Sequence, residues 1–259
     1  MQLRLYCLLM PIIVSTPALP QAAAPARPMA YDAHPSFAVA TIKPHDPDSS
    51  RQGFNAHGDH FTIQSQTVVS LLLFAYSIHP RQIVDASDWV LRDRYDIDGK
   101  TDTDGEPNLL QQQEMIQKLL ADRFRLRFHP DKRELAVYAI RIAKGGPKLN
   151  PAVNPDAQPN QHGNNRGTEL TQFYTSAAIS DFVLAMQFFL DRPLVDQTGF
   201  TGRYDFKIVY TPDELRATDA NTAPSIFTAI QEQLDLKLEP VKTPCNVFVI
   251  DYVERPSAN

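Results

Sequence analysis

The chain repeats one sequence pattern about 110 residues apart, and this limits its possible folds more than any other feature. Arg94-Tyr95-Asp96-Ile97 returns as Arg203-Tyr204-Asp205-Phe206. Three further segments match in the same order: residues 83–85 match 194–196, residues 124–128 match 234–238, and residues 137–140 match 247–250. Such self-similarity indicates two copies of one structural unit. The shared residues therefore describe a scaffold more than an active site.

Hydrophobic periodicity predicts the same order of elements in both copies. Apolar residues at helical spacing mark two helices per unit, and alternating apolar and polar residues mark the strands between them. Each unit is predicted to end in a β-hairpin, with strands at 124–128 and 135–142 in the first unit and at 234–238 and 247–253 in the second. We therefore predict an α+β fold of two tandem pseudo-repeats of β-α-β-β-α-β-β, with mixed or antiparallel sheets packed against helices.

Composition shifts divide the rest of the chain. Residues 27–58 are predicted to be a lead-in with one strand at 37–42. Residues 145–168 are rich in Pro, Asn, Gln and Gly, which predicts a linker or a long surface loop. The two repeat units then occupy residues 59–144 and 169–255.

The first 26 residues are predicted to be a secretory signal peptide. Arg4 supplies an early positive charge, residues 5–14 form a short apolar run, and small residues precede Ala26, where we expect cleavage. The run is shorter than the roughly 20 apolar residues that span a bilayer, and no later segment is long enough. We therefore expect an exported protein, periplasmic or extracellular, with no transmembrane segment after cleavage.

The cysteine content and the charge narrow the classes of function. Removal of the signal peptide would leave one cysteine, Cys245, so we expect no internal disulfide. Cys245 opens a strand-like run without an acid–base partner nearby in sequence, and we interpret it as a small core residue rather than a nucleophile. The net charge of −5 argues against nucleic acid as a partner.

Motifs for metals and cofactors are incomplete. His57-Gly58-Asp59-His60 is the best local cluster of metal ligands, but a third ligand is missing from it. The segments at 96–99 and 102–105 resemble the start of calcium loops without the Glu that completes an EF-hand. The chain also lacks phosphate-binding and dinucleotide-binding fingerprints. We therefore predict no metal and no cofactor.

The repeated Arg-Tyr-Asp motif allows two interpretations. In a strand the Arg and the Asp project to one face and the Tyr to the other, so Arg94 and Asp96, and again Arg203 and Asp205, are candidate recognition residues. Alternatively, the tyrosine is buried and the charges cap neighbouring backbone or helix ends. We favour the second interpretation, because a catalytic constellation is rarely needed twice.

A turn is predicted after the short strand of each unit. In the second unit Asp196 can accept backbone N–H groups, while Gly199 and Gly202 can supply positive φ. The first unit keeps the leading Asp as Asp85 and then carries Asp88-Trp89, which contains the only Trp. Trp89, with Asp88 beside it, is either a ligand platform or a plug of the core.

The two predicted terminal hairpins differ in charge. Residues 122–144 carry seven basic and three acidic side chains, a net charge of +4, and Arg125 and Arg127 there are candidate recognition residues. Residues 235–254 carry two basic and four acidic side chains, a net charge of −2. Either the hairpins face each other, or the basic one docks an anionic partner, or both are solvated surfaces.

Several segments carry a resemblance to a known family. The segments at 37–44, 93–97, 119–124, 144–149, 192–199 and 224–229 resemble hallmark segments of the soil-associated secreted proteins of acidobacteria. This resemblance covers essentially the whole chain after the signal peptide and implies an exported bacterial protein, without implying a reaction. Related domains occur joined to membrane-sensor metallopeptidases, whose zinc motif is missing here. Each unit is also similar to the short N-terminal domain of secretins and TonB-dependent transducers, which docks proteins in the periplasm.

We therefore expect a non-catalytic recognition protein of the cell envelope that docks an envelope or secreted protein, or a ligand, at strand edges or helix faces. Two alternatives remain open. The first is an extracytoplasmic hydrolase with its site between the two units, which converging carboxylates or histidines with perturbed pKa values would favour. The second is a purely structural envelope protein.

Overall fold

The described part of the chain, residues 27–215 and 223–257, contains five α-helices and three four-stranded sheets in a computed structural model. The predicted α+β class, with mostly antiparallel sheets, is confirmed. The predicted signal peptide lies outside the described residues. Among the residues described, none of the helices combines the length and apolar character needed to cross a membrane.

The first half of the chain builds one sheet covered by two helices. Its elements are β1 (Phe37–Pro44), β2 (Gly53–His57), β3 (His60–Thr67), α1 (Val68–Tyr76), β4 (Ile83–Val84), α2 (Asp88–Arg92), β5 (Arg94–Thr101), α3 (Leu109–Arg123) and β6 (Arg127–Ile142). The sheet has the order β1-β5-β3-β2 and is antiparallel throughout. The apolar faces of α1 and α3, including Leu71, Leu72, Ile116 and Leu120, are buried with it in one core.

The second half builds a similar layer from later elements. These are β7 (Asn150–Pro151), β8 (Asn160–Arg166), β9 (Glu169–Ala177), α4 (Ile179–Met186), β10 (Leu194–Asp196), β11 (Tyr204–Tyr210), α5 (Ile226–Leu234) and β12 (Leu236–Tyr252). The sheet has the order β7-β11-β9-β8. A second core lies between this sheet and α4 and α5, and Phe182, Met186, Ile208 and Ile230 are fully buried in it.

A third sheet joins the two halves, in the order β10-β6-β12-β4. β6 and β12 pair antiparallel along almost their whole length. The short strand of each half pairs in parallel with the long strand of the other half, so that Ile83 lies opposite Phe248 and Leu194 opposite Tyr138. The long strands also exchange core residues, because Ile250 of β12 is buried in the first core and Ile140 of β6 in the second.

The two predicted terminal hairpins are wrong, since each is one continuous strand of 16 or 17 residues. Pro130 was expected to sit in a turn, but it lies within β6. The backbone N–H of Tyr138 donates to the carbonyl oxygen of Pro193, on the side of β6 that faces β10. Backbone N–H groups alternate in direction along a strand, and position 130 is an even number of residues from 138. The missing N–H of Pro130 would therefore point away from β12. Proline is tolerated at such a position because it breaks no ladder hydrogen bond.

Three further strands lie in regions where loops were predicted. The predicted linker, 145–168, contains the two-residue β7 and β8, and the predicted lead-in, 27–58, contains β2 in addition to its predicted strand. β2 and β8 are each joined to the next strand by a two-residue turn, and Gly58 and Gly167 take the positive φ, 62° and 63°, that such turns require. β8 lacks apolar alternation, so only its pairing with β9 identifies it as a strand.

Candidate functional site

The Arg-Tyr-Asp motif of the first half clamps a bend in the adjacent strand. Ser65 has a φ of 57° at a bulge near the end of β3, just before α1 begins. The Nη1 of Arg94 donates to the Ser65 carbonyl oxygen at 2.6 Å, and the Oδ1 of Asp96 accepts from the Ser65 N–H at 3.0 Å. The same Oδ1 lies 2.7 Å from the Nδ1 of His45. Arg94 and Asp96 therefore provide hydrogen-bond partners for the backbone groups of Ser65, which have none in the sheet because of the bulge.

The motif of the second half makes the same contacts. Ser176 has a φ of 50° shortly before α4 begins. Arg203 donates from Nη1 to the Ser176 carbonyl oxygen at 2.8 Å, and the Oδ1 of Asp205 accepts from the Ser176 N–H at 2.7 Å. The Oδ2 of Asp205 accepts from the N–H of Val153 at 2.9 Å. All four predicted recognition residues of this motif are thus directed at backbone.

The clamp in the second half makes stability depend on pH. The N–H groups of Val153 and Ser176 hold the pKa of Asp205 below its ordinary value. A carboxyl group with a lowered folded pKa stabilises the fold above its unfolded pKa of about 3.9, and this contribution is lost as the pH falls through the folded pKa. We expect Asp205→Asn to be less stable than the wild type at neutral pH and to lose less stability on acidification. Urea unfolding at about pH 7 and about pH 3 measures both effects.

Asp156→Asn is the matched control for this prediction, because Asp156 is exposed in the same half. Its pH profile should follow that of the wild type. Equal profiles for Asp205→Asn and the wild type would contradict the assigned role of the clamp.

Trp89 and its neighbours lie at the outer end of the first half. The Trp89 ring is half-buried against the first core, and the Arg255 guanidinium lies 4.9 Å from the ring centroid. Arg255 also forms an ion pair with Asp93 at 3.0 Å. Asp88 is exposed in the first turn of α2. The Arg255 guanidinium therefore covers one face of the Trp89 ring.

The two predicted basic recognition residues lie beside the same segment. The Arg127 guanidinium is 4.7 Å from the centroid of the Tyr252 ring, and the N–H of Glu254 donates to the Phe124 carbonyl oxygen at 2.7 Å. Arg125 is exposed and has a φ of 55° just before β6 begins. Arg127 thus contacts the end of β12, while Arg125 is at a strained backbone position.

The turn residues have different conformations in the two halves. Asp196 accepts at Oδ1 from the N–H and the hydroxyl of Thr198, and Gly199 has a φ of 74°. Asp85 itself has a φ of 59°. The expectation of a positive φ at Gly202 is wrong; a side chain there would meet the Tyr204 hydroxyl at 3.0 Å, so close packing accounts for this glycine.

The basic and acidic segments lie beside each other as paired strands rather than as hairpins. Arg141 of β6 donates from Nη1 to Glu239 of β12 at 2.5 Å, and His129 lies 2.8 Å from Asp251. The basic residues of β6 and the acidic residues of β12 therefore form ion pairs with each other within the third sheet. Exposed ion pairs of this kind contribute little stability but favour one pairing of strands over another.

The histidine pair and the cysteine have simple surroundings. His57 and His60 face each other across the β2–β3 turn, and His60 lies 4.0 Å from Asp98. Within residues 27–215 and 223–257, no group of three His, Cys, Asp or Glu side chains is placed to hold a metal ion. Cys245 is buried, and burial raises the pKa of its thiol.

Two shallow grooves lie beside helices, one at α3 in the first half and one at α5 in the second half. One, of about 290 Å³, runs between β1 and α3 and includes Lys118 and Asp122. The other, of about 240 Å³, runs between α5 and the start of β12 and includes Phe227 and Glu232.

Side chains cover the outer edge of β1 and the part of β11 that lies beyond its short pairing with β7. Arg123 of α3 donates from Nη1 to the outward carbonyl oxygen of Ala40 at 2.9 Å, and Pro44 has no N–H to offer. In the second half Gln233 of α5 covers the edge of β11. Its Oε1 accepts from the Val209 N–H at 2.9 Å and its Nε2 donates to the Val209 carbonyl oxygen at 2.7 Å. Such devices prevent strand addition at an edge.

The edge strand β8 is different. All seven of its residues are exposed, and it pairs with β9 without a register shift. Along β8 the backbone groups of successive residues point alternately toward β9 and away from it. The two-residue turn and the Val209–Gln233 contacts both show which residues point which way. The backbone N–H and C=O groups of Gln161, Gly163 and Asn165 point outward, away from β9. β8 contains no Pro, Lys or acidic residue and no bulge, so the usual protections of an edge are missing. Its only charge is Arg166 at the end. The corresponding edge strand of the first half, β2, has five residues.

Sequence reasoning missed β8, because Asn160–Arg166 carries no apolar residue. The available signal was the Gly167-Thr168 pair, which lies between a polar stretch of seven residues and a partly apolar stretch of nine, because Gly at the first position fits a two-residue hairpin turn.

A family model described as "Protein of unknown function (DUF3738)" matches residues 69–253. The comparison with curated proteins and the comparison with solved structures gave no significant match.

Proposed function

Because the chain belongs to the DUF3738 family of proteins of unknown function, we propose its role from its own surface: it is a recognition protein that binds an extended segment of a partner along β8. The segment adds to the sheet as a further strand, and main-chain hydrogen bonds supply the contact. The observation that carries this proposal is the unprotected outer edge of β8 in a fold that covers the outer edge of β1 and part of that of β11 with side chains.

The surroundings of β8 fit a binding strand. Its hairpin partner β9 is held by the second core, in which Tyr174 is buried and stacks on Phe206. On the open face the His162 ring stacks on Phe173, with ring centroids 4.9 Å apart. The edge is therefore rigidly supported from one side, which lowers the entropy lost on binding.

The proposal also covers the relation between the two halves of the chain and the location of the protein. The two halves are copies of one unit, which is supported by the pairing of Glu134 with Pro244, two positions 110 residues apart that lie at the middle of the β6–β12 ladder. The protein is exported and meets its partner in the cell envelope or outside the cell, which is supported by the signal-like first 26 residues and by the resemblance to secreted acidobacterial proteins. The partner is then an envelope or secreted protein.

Blocking the outward backbone groups of β8 tests the proposal. In Gln161→Pro one outward N–H is lost, while the β8–β9 ladder keeps its bonds because position 161 does not donate to β9. A photoreactive residue replaces Asn164 in both Gln161→Ala and Gln161→Pro. We expect the Gln161→Ala variant to form crosslinks to a partner, and the Gln161→Pro variant to form at least about tenfold fewer. Mass spectrometry of the adducts identifies the partner.

Gln161→Ala is the matched control, since both variants lose the Gln161 side chain and its contact with Gln172. Equal crosslinking in the two variants would show that strand addition at β8 is not the mode of binding.

A further inference from the structure

We propose that the segment that fits β8 is β8 of a second copy of this chain, paired antiparallel about Gly163. This inference rests on the proposed function, since it requires an edge that accepts a strand. The two second-half sheets would then form one continuous eight-stranded sheet across a two-fold axis.

The alternation of β8 selects one register. Only the outward residues Gln161, Gly163 and Asn165 can exchange hydrogen bonds across the new pair. Full overlap of the strands places Gly163 opposite itself and Gln161 opposite Asn165 of the second copy. This register makes about six backbone hydrogen bonds between the copies.

The side chains of β8 permit this self-pairing. Arg166 would lie opposite Asn160 of the second copy, so the pairing places no two like charges directly opposite each other. Gln161 and Asn165 would lie opposite each other, and their amides can hydrogen-bond. At the two-fold axis Gly163 has no side chain, and a Cβ there would meet the Thr171 carbonyl oxygen at 3.2 Å. A second copy is therefore a self-complementary occupant, because the charged Arg166 of each strand lies opposite the uncharged Asn160 of the other.

The expected dimer is weak. One strand pair buries less than the roughly 1,200 Å² of a stable interface, so monomer and dimer should exchange and their ratio should depend on concentration. Neither copy has to rearrange its backbone, because β8 is already extended and supported by β9.

Sedimentation velocity of the purified full chain, up to about 200 μM, tests the inference. We expect self-association in the wild type and in Gln161→Ala, and at least about tenfold weaker association in Gln161→Pro. Charge at position 160 tests the register. Asn160→Glu should strengthen association through Arg166 of the second copy, and Asn160→Arg should weaken it.

The outcomes separate this inference from the proposed function. A monomer at every concentration, together with Pro-sensitive crosslinks from Asn164 to a different protein, would overturn the second copy as partner and keep strand addition. Self-association that Gln161→Pro leaves unchanged would place the contact on another surface and overturn the inference. A monomer with no Pro-sensitive crosslink to any protein would overturn both.

Discussion

Residues 27–144 and residues 145–257, produced as separate chains, are expected to be largely unfolded alone and to assemble into the native fold when mixed. Each half lacks the partner of its long strand and of its short strand, because β6 pairs with β12, β4 with β12 and β10 with β6. The first half alone would also lose Ile250 from its core, and the second half would lose Ile140. Removing a large buried aliphatic side chain from a core costs about 2–5 kcal/mol, which is a large part of the stability of a typical domain.

Circular dichroism and urea unfolding of each half and of the mixture measure this effect. The control is the uncut chain with a short Gly-Ser insertion after Gly146, a half-buried position at a φ of 81° where an added Cβ would meet no atom within 4 Å. That variant should fold like the wild type, since only the connection changes. Cooperative unfolding of a monomeric first half would contradict the interlocked arrangement.

The charges of the long strands should make this assembly specific. If two first halves paired through β6 about Glu134, Arg127 would lie opposite Arg141 of the other copy, and like charges directly opposite are destabilising. In the native pairing Arg127 lies over the Tyr252 ring and Arg141 binds Glu239. We expect the mixture to form one-to-one assemblies in preference to pairs of identical halves, and light scattering with mass spectrometry measures the ratio.

His79→Phe is expected to cost about 2–4 kcal/mol of unfolding free energy, because two backbone groups lose their partners at the junction of the halves. His79 is buried, with 4% of its surface exposed. Its Nδ1 accepts from the N–H of Arg81 at 3.1 Å, and its Nε2 lies 3.1 Å from the carbonyl oxygen of Leu190 in the other half. These partners assign the neutral ring with the proton on Nε2.

The same contacts predict a pH dependence. Burial lowers the pKa of His79, and the charge of Arg81 adds to this, while the hydrogen bond to Leu190 and the charge of Asp191 oppose it. A histidine with a lowered folded pKa stabilises the fold above its unfolded pKa of about 6.5, and the contribution decreases as the pH falls below that value. The difference in stability between wild type and His79→Phe should therefore shrink from about pH 7 to about pH 5.

Urea unfolding across this pH range measures the difference, and subtraction removes the titration of the other histidines. His57→Phe is the control, because His57 is exposed at the β2–β3 turn. It should change the unfolding free energy by less than about 0.5 kcal/mol. A constant difference between wild type and His79→Phe would show that the ring is not held neutral by the junction.

Features that depend on neighbouring residues were largely predictable. The helical stripe of Leu71, Leu72 and Ala75 is buried as expected, and the alternation in Tyr204–Tyr210 marks β11. Of the two interpretations of the repeated Arg-Tyr-Asp motif, we favoured charges that cap backbone, and Arg94 and Arg203 each donate to a serine carbonyl oxygen. Helical stripes and strand alternation are predictable because periodicity acts over a few residues.

Features that depend on distant partners were not predictable in the same way. Residues 127–142 contain one proline and residues 236–252 contain two, which suggests turns, and only the pairing of the two segments with each other shows why both continue as strands. Likewise, Gln233 shows no sign in sequence of covering Val209, because the contact requires α5 to lie beside β11.

By itself, the sequence determined the α+β class and the buried faces of the helices. Only the tertiary structure decided that the halves exchange their short strands, that the basic segment lies along the acidic one, and that β8 is an open edge. The physical reason is the range of the forces involved. Side-chain periodicity records which face of an element is buried, whereas backbone hydrogen bonds between strands are nearly independent of side chains and leave little trace in sequence.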